Sequence, residues 1–250
     1  MDTFTVYRLG MIPYKKALEL QLALLEKRSK GEIEDSLLLL EHPPTVTTGR
    51  RGKDEHLLLD LPEFQKRGIH FEVVSRGGDV TYHGPGQLVG YPILDLNKFN
   101  RDIHKYLRNL EEIIILALED FNIRAERLKG ITGVWVNGEK IASIGVGVRR
   151  WTTYHGFALN VNTDLSYFDM IIPCGIQGVR ITSMKKLLEK KQPPEMGEIE
   201  TSVINALSRV LNRKLSGIIS SDQTVLDGAF DAEFLIKLEK KLANPSSLLA

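Results

Sequence analysis

The single cysteine of the 250-residue chain, Cys174, stands in Ile171-Ile172-Pro173-Cys174-Gly175-Ile176. A cysteine among isoleucines reads first as a small buried hydrophobe. The flanking proline and glycine shift that reading, because they make a turn, and a turn presents a side chain instead of burying it on a strand. The thiolate is the nucleophile, and a free thiol titrating near 8.5 is only about 3% thiolate at neutral pH. A cation that lowered this value by about 1.5 units would bring the fraction to about one half, a differential interaction of roughly 2 kcal/mol. Nucleophilic chemistry at Cys174 therefore asks for a cationic neighbour. Lys140, on the second arm of a hairpin, is the candidate, although spacing alone does not place it beside the cysteine.

A second chemical feature is the stretch Arg76-Gly77-Gly78-Asp79-Val80-Thr81-Tyr82-His83-Gly84-Pro85-Gly86-Gln87. A glycine cluster can be a plain surface loop. Here Gly77 and Gly78 let backbone approach a ligand with no Cβ in the way, while Arg76 and His83 can each hold an anionic or carbonyl oxygen. These assets point to a ligand wall. Gly84 to Gly90 does not make a dinucleotide fingerprint: its third glycine falls one residue late, and the segment leads into strand residues with Pro92, not into a helix N-terminus. No phosphate loop ending in Gly-Lys-Ser/Thr occurs either.

Composition excludes other classes. Thirty-three basic residues against thirty-two acidic ones leave a net charge of +1, which gives no general case for nucleic acid. One cysteine excludes an intramolecular disulfide, a cysteine-rich zinc site and a cysteine-held iron–sulfur cluster. His42, His83 and His155 lack metal-site spacing, so no metal is expected. The run Leu37 to Leu40 falls far short of the roughly 20 apolar residues that span a bilayer. Met1-Asp2-Thr3 starts no targeting pattern, and the expected address is the cytoplasm.

The elements that must position these residues follow from periodicity. A helix is expected from Pro13 to Ser29, with Tyr14, Ala17, Leu18, Leu22 and Leu25 on one face and Gly31 at its end. Leu37 to Glu41 reads as a buried strand stopped by His42-Pro43-Pro44, and Thr45 to Lys53 as a loop. A short helix spans Glu63 to Arg67, and strand resumes from Ile69 to Ser75. Leu88 to Leu96 is a strand whose Pro92 suggests a bulge or an edge. A long amphipathic helix runs from Asp102 to Phe121, N-capped by Asn100, with Ile103, Tyr106, Leu107, Leu110, Ile113, Ile114 and Ala117 buried. Asn137-Gly138 predicts a type I′ hairpin between Val134–Val136 and Glu139–Ile141. Strands continue at Ile144–Val148 and Gly156–Asn162. Two helices follow, Ser183 to Lys190 and Ile199 to Leu215, separated by Gln192-Pro193-Pro194. The fold class is α+β, a mixed sheet flanked by helices. Residues 1–215 form one domain, and residues 216–250 a tail with a helix at Asp231 to Leu242.

Four blocks, in order, resemble the lipoyl(octanoyl) transferase family: Arg76 to Gln87; Gly133-Val134-Trp135 followed by Lys140-Ile141-Ala142-Ser143-Ile144-Gly145; His155-Gly156-Phe157-Ala158-Leu159-Asn160-Val161; and Pro173-Cys174-Gly175-Ile176. The likeness runs from about Tyr7 to Leu211. It implies the scaffold shared with biotin and lipoate protein ligases, no cofactor, and an octanoyl group moved from octanoyl-acyl carrier protein to a lysine of apo lipoyl domains of 2-oxoacid dehydrogenases and the glycine cleavage system. It implies Cys174 as the acyl-carrying thiol and Lys140 as its activator and proton shuttle. It also implies a substrate-contacting set of Arg76, Gly77, Gly78, Asp79, Val80, Thr81, Tyr82, His83, Ser143, Ile144, Gly145, Gly156, Phe157 and Ala158.

On that reading His83 positions the acyl carbonyl or thioester, His155 is a satisfied structural histidine, and backbone amides of Ser143 to Gly145 and Gly175 meet the tetrahedral oxyanion. Arg50-Arg51, Arg149-Arg150 or Lys185-Lys186 would dock the acidic carrier, and the chain would act as a monomer. Two rivals stay open: an ATP-dependent lipoate or biotin ligase on the same scaffold, and a non-catalytic module that binds lipoyl domains.

Overall fold

The computed structural model describes residues 2–188 and 194–220. Its main sheet begins with a strand that the sequence pattern had not marked, β1 (Thr3–Met11), followed by helix α1 (Tyr14–Ser29) and strand β2 (Asp35–Glu41). Phe4 and Val6 face one core while Tyr7 and Leu9 face another. In β2, Leu37 and Leu39 likewise point one way and Leu38 and Leu40 the other. Both faces are covered, so β2 reads as a continuous apolar run, Leu37 to Leu40, without alternation. Among the described residues the sheet has eight strands, completed by β6 (Gln87–Ile93), β7 (Glu126–Leu128), β8 (Ile131–Val136), β9 (Glu139–Arg149), β10 (Thr152–Asn160) and β11 (Lys214–Ser220), in the order β11-β1-β2-β6-β10-β9-β8-β7. It is parallel at β11-β1-β2 and antiparallel from β2 onward. The mixed sheet flanked by helices is the expected fold class.

A smaller three-stranded sheet carries the glycine-rich block. It consists of β3 (Thr45–Thr48), β4 (His70–Val73) and β5 (Val80–His83), in the order β4-β3-β5. Thr45-Val46-Thr47-Thr48, expected as loop, is a strand because β-branched residues favour the pleated backbone once Pro43 and Pro44 have released the chain from the first sheet. Helix α2 (Leu61–Lys66) is capped by the Asp60 side chain, which accepts from the Glu63 amide at 2.9 Å.

Pro92 is neither on an edge nor in a bulge. Strand β6 is central, between β2 and β10, and Pro92 pairs with Leu37 on the β2 side. The ladder to β10 covers only Gln87 to Gly90, so the missing N–H falls where that pairing has stopped. The long helix α3 (Ile103–Glu119) is capped by Asp102, whose carboxylate accepts from the Lys105 amide at 2.9 Å. Asn100 instead takes a left-handed backbone (φ 56°) two residues earlier. Ile103 is exposed, and Glu111 and Leu118 join the buried face. On α1, Leu22 is exposed and the buried stripe runs through Leu20, Gln21, Leu24 and Arg28; two polar members disguised it.

Asn137 (φ 51°) and Gly138 (φ 76°) make the expected hairpin turn. A second turn of the same hand joins β9 to β10 through Arg150 (φ 51°) and Trp151 (φ 60°), and its residue types gave no signal. After α4 (Met184–Leu188), helix α5 (Met196–Leu211) ends short of Leu215, because left-handed Asn212 (φ 51°) turns the chain into β11, parallel to β1. Strand β11 crosses residue 215, so residues 216–220 lie in the main sheet. Gln192, Pro193 and the helix expected at Asp231 to Leu242 lie outside the described residues.

Gly156 sits where β10 meets β6. A Cβ there would press on the Gly90 carbonyl oxygen and lie 2.7 Å from Pro92 Cδ. Gly156→Ala is expected to cost about 1–3 kcal/mol, seen as a lower urea midpoint at unchanged slope.

Candidate active site

The cysteine is carried on the 3₁₀ turn Pro173–Gly175. The Ile172 amide donates to the His56 carbonyl at 2.8 Å, which fixes the approach to the turn. Cys174 itself takes a left-handed backbone (φ 59°, ψ 14°), followed by left-handed Gly175 (φ 67°). That conformation is sparsely populated by side-chain-bearing residues, and it turns the thiol toward the sheet. A Cβ on Gly175 would lie 2.5 Å from Asp79 Oδ2 and 2.8 Å from His56 Cε1, so only glycine fits against that pair. His56 Nδ1 and Asp79 Oδ2 are 2.8 Å apart, and Asp79 Oδ1 accepts from the Val80 amide. The Gly175 amide donates to Ile172 O at 3.0 Å within the turn, which removes it from the expected oxyanion donors.

Lys140 comes from β9 and is buried at 2% exposure. Its Nζ donates to Cys174 Sγ at 2.9 Å and lies 5.5 Å from the Trp135 ring centroid. The Lys140 backbone grips the segment that follows the cysteine: its amide donates to Arg180 O at 2.8 Å, and its carbonyl accepts from Thr182 N at 2.9 Å.

The thiol opens on a cleft between the small sheet and the main one. Arg76, Gly78, Asp79, Val80, Thr81 and His83 line one side; Ser143, Ile144, Gly145, Gly156, Phe157 and Ala158 line the other. Two expected contact residues fall outside it. The Gly77 amide donates to Val146 O at 2.8 Å, so this residue binds the wall to β9. Tyr82 points to the opposite face of β5, where its ring stacks on Tyr167 at 4.7 Å. Strand alternation explains the second case: the Tyr82 ring packs with Val80 in the small core, on the face of β5 opposite Thr81 and His83.

Arg76 is buried, and its Nη2 donates to Thr47 O at 2.9 Å and Thr47 Oγ1 at 2.8 Å. Desolvation holds the guanidinium below its usual value, against the opposing pull of Tyr14, Cys174, Tyr91 and Asp79. His83 belongs to a chain of fixed polarity. Asn160 Nδ2 donates to Thr182 O, Gln87 Nε2 donates to Asn160 Oδ1 at 2.9 Å, and Gln87 Oε1 is thereby left to accept from His83 Nδ1 at 2.8 Å. Burial and the neighbouring His42 and Arg76 keep the ring neutral, its pKa well below 6.5. Nε2 of His83 is therefore an acceptor and has no proton to offer a carbonyl oxygen, contrary to the expected positioning role.

Further groups in the cleft region gave little sequence signal. Tyr14 from α1, Tyr91 from β6 and His155 from β10 line the cleft, with His42 behind them. His42 Nδ1 donates to Ile12 O at 2.7 Å, so Nε2 accepts from Tyr91 OH at 2.8 Å. Both its nitrogens are spent. His155 is not the satisfied residue expected: its backbone is left-handed (φ 55°), its amide donates to Gln21 Oε1 at 2.8 Å, and its buried Nε2 finds no partner among the described residues. Of these, His155 opens one of the four sequence blocks, whereas nothing in the sequence set Tyr91 at the cleft.

Residues 13–208 match the family model described as the lipoyl protein ligase A/B catalytic domain. The octanoyltransferase of Solibacter usitatus is 53% identical over 191 residues, covering 76% of this chain and 86% of that protein. The octanoyltransferase of Caldicellulosiruptor saccharolyticus is 47% identical over 216 residues, covering 86% and 91%. Among solved structures, lipoate-protein ligase A bound with ATP superimposes with a TM-score of 0.69 at 17% identity, covering 98% of this chain and 97% of that one. A bipartite lipoate protein ligase from Thermoplasma acidophilum gives 0.66 at 17%, covering 97% and 94%. At such identities the structural likeness shows a shared fold.

Burial pushes His42 down to about 4 and His155 down to about 3. In the unfolded chain both titrate near 6.5, so between pH 6.5 and about 4 the unfolded state holds protons that the folded state lacks. Stability is therefore complete above pH 6.5 and is lost as pH falls, by roughly 1.4 kcal/mol per pH unit for each histidine in that window. Urea unfolding from pH 7.5 to 4.5 checks this, and His42→Asn is expected to flatten the slope by about one histidine's share.

Proposed function

Because the chain belongs to the lipoyl protein ligase A/B catalytic-domain family and is an acyltransferase like the octanoyltransferases it resembles, we propose that it moves an octanoyl group from octanoyl-acyl carrier protein to a lysine of apo lipoyl domains through a thioester on Cys174. The observation that carries the thioester is the 2.9 Å contact from Lys140 Nζ to Cys174 Sγ at the wall of the cleft.

The thiolate attacks the donor carbonyl, the tetrahedral adduct expels the carrier's thiolate, and that leaving group takes a proton from the Lys140 ammonium. Cys174 is then acylated and Lys140 neutral. In the second half the acceptor amine attacks the Cys174 thioester, gives one proton to neutral Lys140, and releases the thiolate beside a restored ammonium. The first exchange replaces one thioester by another and the second makes an amide, so neither needs ATP.

Of the expected oxyanion amides, Ser143 and Gly145 stand opposite Ala158 and Gly156 of β10. Ile144 shares its side of β9 with Val146, whose carbonyl points to Gly77 and away from β10. Its amide is the one that suits the oxyanion. The acceptors are lipoyl domains of 2-oxoacid dehydrogenases and the glycine cleavage system. The enzyme acts as a monomer, and its free thiol nucleophile fits the reducing cytoplasm. Among the described residues no helix is long and apolar enough to cross a membrane.

Intact-mass spectrometry after incubation with octanoyl-acyl carrier protein should show one octanoyl group, mapped to Cys174 and discharged by an apo lipoyl domain. An unmodified enzyme beside intact donor, with octanoate transfer dependent on ATP, would reject this reading in favour of a ligase. Lys140→Met should lower the acylation rate about 10²–10⁴-fold.

Arg50 and Arg51 are exposed, and their amides donate to Arg76 O and Gly78 O at 3.0 Å, which sets them beside the cleft wall. Reversing both charges should raise KM for the carrier-bound donor and leave a small octanoyl thioester unaffected. Equal effects on both donors would reject docking there.

A further inference from the structure

The buried carboxylate of Glu111, on α3, belongs to none of the sequence blocks that carry the active-site residues, yet it lies one residue removed from the lysine's seat. Glu111 is fully buried. Its Oε1 accepts from the Gly133 amide at 3.1 Å, and its Oε2 accepts from Arg108 Nη1 at 2.6 Å and Arg127 Nε at 3.1 Å. The two guanidiniums give the buried carboxylate its partners, so it needs none from the active site.

Gly133 is the residue against which the Lys140 side chain rests. A Cβ at Gly133 would lie 2.7 Å from Lys140 Cε, 3.3 Å from Lys140 Nζ and 2.9 Å from Ala142 O. Its φ of 138° is a backbone that side-chain-bearing residues rarely adopt, and the β8–β9 register slips immediately after it, between Val134 and Trp135. A regular pairing would not keep that gap. The hydrogen bond from the helix is the restraint that fixes the peptide at the start of the irregularity. An extended strand end with no such anchor would relax toward regular pairing and close the space.

We propose that Glu111 is a positioning residue: by holding the Gly133 amide it keeps open the seat from which the Lys140 ammonium reaches Cys174. The proposal rests on the lysine-activated thiol described above, and it explains why a carboxylate is buried in the apolar face of an otherwise amphipathic helix. An apolar residue would pack there with less desolvation but would leave the amide unheld.

The pH dependence of Cys174 alkylation by iodoacetamide, followed by mass, reads the seat directly, because the reagent reports thiolate and needs neither substrate. Wild type should react at neutral pH as an activated thiol, and Lys140→Met should react only at higher pH. Glu111→Ala should move the profile upward by about one pH unit, or about tenfold less reaction at pH 7. Glu111→Gln, which keeps an acceptor oxygen for Gly133, should recover most of that loss. Gly133→Ala approaches from the other side, filling the seat while leaving α3 intact, and should show the same upward shift even if Glu111→Ala does not fold. A wild-type profile that matches Lys140→Met would overturn the activated thiol and this proposal with it. A profile that Lys140→Met shifts but Glu111→Ala and Gly133→Ala leave in place, whatever their melting temperatures, would overturn the positioning role alone.

Discussion

Lys140 and Cys174 are 34 residues apart in sequence and 2.9 Å apart at Nζ and Sγ, and most of the site's architecture is a consequence of holding that distance. A lysine side chain has four rotatable bonds, and its ammonium is strongly hydrated when free. To leave it dry and aimed, the protein must restrain both ends. The Lys140 backbone is clamped to Arg180 and Thr182, downstream of the cysteine, so the sheet and the cysteine turn move as one unit. The side chain then passes over Gly133 and lies beside Trp135. On the other side, Ile172 hangs from His56, and Cys174 is held in a left-handed backbone that an unsupported turn would abandon.

The glycines follow from the same demand. Gly175 must lack a Cβ because His56 and Asp79 pack against it, and Gly133 must lack one because Lys140 does. Gly49 completes the set. A Cβ there would lie 2.8 Å from Arg76 Nη1 and 2.6 Å from Gly78 O, so the small sheet can close on the buried guanidinium only if that position is bare. In each case a polar side chain needed at the cleft comes within contact distance of backbone, and the missing methyl is what lets it. At these three positions the glycine is a record of a close polar approach, not of loop flexibility.

The sequence was legible where one residue type settles the outcome. Asn137-Gly138 demanded its turn, Cys174 between proline and glycine demanded presentation, and the glycine-rich block behaved as a wall. It was illegible where a polar side chain serves the interior. Gln21 and Arg28 break the apolar stripe of α1, and Glu111 breaks that of α3, so helical periodicity assigned Leu22 and Ile103 to faces they do not occupy. Tyr82 and Gly77 show a different limit. A contiguous motif invites every member into the site, whereas β5 sends alternate side chains to opposite faces and Gly77, ahead of that strand, is spent on a hydrogen bond to β9.

His83 illustrates why even a correctly located residue can be given the wrong task. Its type permits donation or acceptance at either nitrogen, and only the direction of the chain through Gln87, Asn160 and Thr182 decides between them. That chain ends on the backbone bonded to Lys140, because Thr182 N donates to Lys140 O. His83 and the Lys140 backbone are therefore tied to the same residue, Thr182, one through its carbonyl and the other through its amide. A network fixed at both ends resists reversal of any one member, since flipping Gln87 or Asn160 would set donor against donor at the next step and acceptor against acceptor at the step after. The acceptor face that His83 turns to the cleft is thus built into the scaffold before any substrate arrives.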